Sequence, residues 1–141
     1  MEKVASQLLL SLGLHFASKR YMAILEILLL LSADIALLKN MHTLYILAGQ
    51  RCGATPAAID KRVRCAIAQI WQNRSRNHLQ NIYNDELPAL EPCARKFLIA
   101  IMQFLAREYP EIISVELNDL TAKRPCASSR HTGARNWGGI F

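Results

Sequence analysis

Paired cysteines, strand-like alternation and a long apolar run free of acids are all missing from this chain, and each absence removes a class of protein. The four cysteines, Cys52, Cys65, Cys93 and Cys126, stand far apart, with no CxxC pair and no histidine at zinc-ligand spacing. No disulfide framework, metal site or cofactor is therefore expected, and a reducing, cytoplasmic setting fits. Aromatics are sparse at 7%, and glycine and proline are few until the last twenty residues. With no alternation long enough for a sheet and no internal repeat, a helical globular protein is favoured over a β-sandwich or a disordered chain. Enzymatic constellations are missing too. His15, His42, His78 and His131 are scattered, no Ser or Cys sits in a nucleophile motif, and no glycine-rich phosphate loop follows a strand. Asp85, Glu86 and Glu91 lie near Pro88 and Pro92, where a solvated loop explains them better than a paired-carboxylate site. The chain is not expected to be an enzyme.

What is present is one domain's worth of sequence: 141 residues, 52% hydrophobic, with a formal net charge of +6. That length buries a core without staples, and the basic balance suggests an acidic partner only if the charges cluster. The opening residues lack the pattern of a signal peptide, so no export signal is expected. The segment from Met22 to Leu38 is nearly all apolar and approaches the minimum length for a membrane span, but it contains Glu26 and Asp34. An acidic side chain at bilayer depth costs about 2.5 to 3.5 kcal/mol, so a buried central helix is expected instead.

The apolar spacing from Val4 reaches Gly13, where a left-handed cap is easily adopted, which predicts a first short helix. Ser18 caps a second, long helix running through Tyr21 and Leu28 toward Leu38. A third covers Met41 to Arg51 and a fourth runs from Pro56 to about Trp71, with Thr55 as N-cap and proline at the first helical position. A loop over Asn73 to Asn77, a helical turn at Leu79 to Tyr83, a second loop, and a last helix from Cys93 to Tyr109 follow, stopped by Pro110. The expected organisation is an all-α domain of about six helices over residues 1–110, with an extension over 111–141 that is largely disordered from about Ala122. Trp137 in that tail is either a partner anchor or a stray aromatic.

Leu44 to Trp71 carries the most specific pattern. Gly49 is small where two helices cross closely, Gly53 can take the positive φ of a tight turn, and Ile59, Val63, Ala66, Ile67 and Ile70 form the stripe that packs the second helix down. The opposite face presents Ala57, Asp60, Lys61, Arg64 and Ala68, with Arg62 to its side. Such a face suits the major groove: small residues permit close approach, while lysine and arginine reach base edges or phosphates. Arg51, Arg74 and Arg76 bracket the helix and are candidates for flanking phosphates. Asp60 either accepts from cytosine or orients a neighbouring arginine. Helical pairs with charged outer faces are also common in purely structural domains, so the pattern alone leaves both readings open.

The LGL before the second helix, Lys19-x-Tyr21, Glu26, Asp34-Ile35-x-Leu37-Leu38 and Leu44-Tyr45 occur in series with Thr55, Ile59, Arg64, Ala66-Ile67, Trp71, Pro92 and Phe97. In this series the chain, from about Val4 to Tyr109, resembles the C-terminal DNA-binding effector domain of the master response regulator of bacterial sporulation. The resemblance implies a six-helix domain that reads double-stranded DNA through its fourth helix, often as tandem copies or a homodimer, with contacts from the positions that here are Ala57, Ala58, Asp60, Lys61, Arg64 and Cys65. The chain departs from the family where polar and basic residues are replaced by Ala57 and Ala58 and a histidine by Cys65, which implies altered sequence preference. Arg20 replaces a glycine beside Tyr21, and Arg74 stands where a glycine normally ends the fourth helix. The family's phosphoacceptor receiver domain has no room within these 141 residues, so a phosphorylation switch in cis is not expected. The alternative is a helical protein-interaction module that has lost its DNA contacts.

Overall fold

A computed structural model of the chain describes residues 2–74, 79–83 and 87–110. The described residues form helices and no strands: α1 (Glu2–Ser11), α2 (Lys19–Ala33), a 3-10 segment (Ile35–Lys39), α3 (Met41–Cys52), α4 (Pro56–Gln72), the single turn α5 (Leu79–Ile82) and α6 (Ala94–Glu108). The extension assigned to residues 111–141, Arg76, and the acidic pair Asp85 and Glu86 lie outside the described residues.

Local chemistry sets the ends of these helices. The chain leaves α1 through Gly13 at φ +95°, where the Gly13 amide donates to the Leu10 carbonyl at 3.0 Å and the Leu14 amide to that of Leu9 at 3.3 Å. That pair of bonds satisfies carbonyls the helix would otherwise leave unpaired, and it needs the left-handed conformation that glycine adopts without strain. Ser18 starts α2 by accepting from the Tyr21 amide at 3.1 Å.

The long helix expected to reach Leu38 stops at Ala33. Asp34, in extended conformation, closes α2 with its own amide bonded to Leu30, while its carboxylate accepts from the Ala36 amide at 3.1 Å and opens the 3-10 segment. The short acidic side chain offers the backbone a local alternative to the next α-turn, and this outweighs the apolar run that follows. No helix among the described residues is long and apolar enough to cross a membrane.

As expected for a central helix, α2 is buried on most of its circumference, through Tyr21, Ala23, Ile24, Leu25, Ile27, Leu28, Leu30 and Leu31. It packs against α1, α3 and α4. A hydroxyl-to-hydroxyl bond between Ser6 and Tyr21 joins α1 to it. Helix α6 also packs against α4, and its Phe97, Leu98, Ile101, Met102 and Leu105 are buried. Arg95 donates from Nε to the Leu38 carbonyl at 2.9 Å, and Arg107 to the Asn81 carbonyl at 3.3 Å, so α6 also holds the 3-10 segment and α5. Each fully buried Leu, Ile or Phe contributes about 1.5 to 3 kcal/mol relative to exposure. The core around α2 and α6 thus fixes where α4 lies.

Candidate nucleic-acid interface

Helices α3 and α4 are joined by the short turn Gly53-Ala54-Thr55. Gly53 takes φ +67°, and the Ala54 amide donates to the Gly49 carbonyl at 2.9 Å. The chain then passes so close to α3 that a Cβ on Gly49 would lie 2.4 Å from the Ala54 carbonyl oxygen. Gly49 is therefore required by contact and Gly53 by conformation. Thr55 completes the turn: its hydroxyl accepts from the Ala58 amide at 3.1 Å, and Pro56 follows at the start of α4.

One stripe of α4 is buried, comprising Ile59, Val63, Ala66, Ile67, Ile70 and Trp71. Opposite it, Ala57, Lys61 and Arg64 are exposed along a strip spanning about 10 Å of helix axis. Ala58, Asp60, Cys65 and Ala68 are half-buried.

Arg64 and Asp60 form an i,i+4 pair at 3.1 Å, with guanidinium Nε donating to carboxylate Oδ2. Of the two roles open to Asp60, orienting a neighbouring arginine is the one seen in this geometry. Because Nε makes this bond, the two terminal nitrogens of Arg64 are not used in it. The pair is exposed, so its value is positional, worth no more than about 1 kcal/mol. Beneath it lies Tyr45 of α3, a residue to which no role attached in the sequence. Burial first, then the charges of Asp60 and Cys93, push its phenol up to about 12, with Arg64 pulling the other way. A buried neutral phenol under the pair adds no charge to compete with Arg64.

The flanking arginines are placed differently from one another. Arg51 donates from Nη1 to Glu26 of α2 at 3.3 Å, so its charge is already partly met by a carboxylate. Arg62 lies on the same flank, close enough to Cys52 to oppose the rise that burial and Glu26 impose on that thiol. Arg74 stacks on Trp71 at 5.7 Å and donates to the Trp71 carbonyl at 2.9 Å, just past the end of α4. Trp71 is itself buried, closing the core there.

A contact that spacing could not reveal joins three elements at the other margin of α4. Gln69 donates from Nε2 to the Gly13 carbonyl at 3.2 Å and accepts at Oε1 from Nη1 of Arg20 at 2.6 Å. The partners are separated by 56 and 49 residues, beyond the range of any periodicity.

No family model, no curated protein and no solved structure matches the chain. The functional reading therefore stands on the chemistry of the α4 surface.

Proposed function

We propose that this chain is a sequence-specific DNA-binding regulator of transcription, of the kind exemplified by the effector domain of the sporulation response regulator. In this reading α3, the Gly53-Ala54-Thr55 turn and α4 act as a helix-turn-helix, with α4 in the major groove of double-stranded DNA. The observation that carries it is the exposed strip of α4, where Lys61 and the Asp60-oriented Arg64 project from a helix whose opposite stripe is locked into the core. Alanines at 57 and 58 admit the backbone close to base edges but offer no reading groups, which shifts sequence preference toward the bases reached by Lys61 and Arg64. Homodimeric or tandem binding and a cytoplasmic location belong to the same proposal.

The same alanines and the half-buried Cys65 favour one competing reading, a surface that docks a partner protein. Fluorescence anisotropy with a mixed-sequence duplex of about two helical turns separates the two. The DNA reading expects binding near the micromolar range at low salt, steep weakening as salt rises, and a large loss for Arg64→Glu with the circular dichroism spectrum unchanged. Wild-type protein that binds no better than Arg64→Glu at low salt would sink it. Selection of bound sites from a random duplex library then identifies the operator.

A further inference from the structure

Lys19 and Arg20 open α2, are both exposed, and make no ion pair among the described residues. Arg20 nonetheless has a defined position. The Gly13 carbonyl that anchors the arrangement belongs to the turn closing α1, a turn already held by two backbone bonds. An amide whose nitrogen is committed to that carbonyl must present its oxygen the other way, so Gln69 has a fixed polarity. That oxygen receives one terminal nitrogen of the Arg20 guanidinium, leaving Nε and Nη2 without a partner among the described residues.

The position relative to α4 gives this arrangement a use. Gln69 follows Lys61 by eight residues, which is about 12 Å along the helix axis and about 80° around it. A helix lying in a major groove about 12 Å wide, with Lys61 and Arg64 toward the floor, brings a group at that offset against the groove wall, where the phosphates are. Elsewhere on this surface Arg51 and Arg64 are each paired with a carboxylate, whereas Arg20 is aligned by a neutral amide and keeps its full charge. A long, exposed arginine side chain loses rotamer freedom when it is fixed, so prior alignment lowers the cost of binding an anion there.

We infer that Arg20, aligned by Gln69 and assisted by Lys19, is a phosphate-binding point that clamps the nucleic-acid backbone beside α4. The inference rests on the DNA reading above and assigns these residues to positioning and affinity, with base preference left to α4. Arg20→Gln, Arg20→Lys and Gln69→Leu, each in the full chain, test it by anisotropy on the same mixed-sequence duplex across a salt series, with circular dichroism melts as the folding control. Arg20→Gln is expected to make the slope of log affinity against log salt shallower by about 0.9, the value for one neutralised phosphate, and Arg20→Lys to retain the slope. Gln69→Leu keeps the charge and is expected to weaken binding several-fold. Relative affinities among different duplexes are expected to stay constant in all three. Wild-type binding with a steep slope that Arg20→Gln leaves unchanged would overturn the clamp while leaving the DNA reading standing. Altered base preference in Arg20→Gln would overturn it as well, by making Arg20 a reading group. No binding by the wild type at low salt would remove both.

Discussion

Replacing Gly49 with alanine adds one methyl group at the crossing of α3 and the α4 turn, and the geometry sets its effect. The new Cβ would lie 2.4 Å from the Ala54 carbonyl oxygen, about 1 Å inside ordinary contact. That oxygen is backbone, and its own residue is tied to Gly49 by the Ala54 amide bond at 2.9 Å, so it has no flexible end with which to yield. Overpacking of this type costs about 1 to 3 kcal/mol, and the rigid neighbour places Gly49→Ala at the upper end. Stretching the Ala54 bond adds about 1 kcal/mol. Alanine's better helix propensity returns about 1 kcal/mol, leaving a net loss of about 3 kcal/mol. Urea unfolding followed by far-ultraviolet circular dichroism should show a lower midpoint with an unchanged slope. Thermal melting should fall by more than about 10 °C in a domain of this size. Gly53→Ala is the internal control: its Cβ meets nothing within 4 Å, so only the φ of +67° is strained, at about 1 to 2 kcal/mol. If Gly49→Ala is as stable as wild type, or less damaging than Gly53→Ala, the close-approach argument is wrong.

Three further outcomes are expected. Thr55→Ala removes the acceptor for the Ala58 amide and should cost about 1 kcal/mol in urea unfolding, with Thr55→Ser recovering most of it. Phe97→Ala empties a fully buried position of α6 and should lose about 3 to 5 kcal/mol; a loss below 1 kcal/mol would mean that α6 does not close the core. Tyr45 binds its proton more tightly in the folded chain, with its phenol raised from 10.0 to about 12, so its contribution to stability is complete below pH 10 and is lost as pH rises toward 12. Alkaline unfolding should therefore be less steep in Tyr45→Phe between pH 10 and 12, and parallel profiles would contradict the burial of that hydroxyl.

Most helix positions were legible because their signals are local. Thr55-Pro56 marks a start whether or not anything packs against it, and Gly13 marks a stop, since caps depend on residues within one turn. The 3.6-residue stripe from Ile59 to Ile70 was equally legible, and every member of it is buried. The end of α2 is not legible in the sequence, because apolar periodicity continues past Asp34 while the competing interaction is a single side-chain bond to the Ala36 amide.

The basic face of α4 illustrates the division more closely. Sequence alone determined that Ala57, Lys61 and Arg64 share a face opposite the core stripe, because helical spacing is a property of one segment. Only the tertiary structure decided what each charge does there. It laid the local Arg64–Asp60 pair over a buried Tyr45, drew Arg51 to Glu26, and brought Arg20 to α4 through Gln69. These partners lie on different helices. Their approach follows from how α2 and α3 pack on α4, a result of the whole core being filled at once.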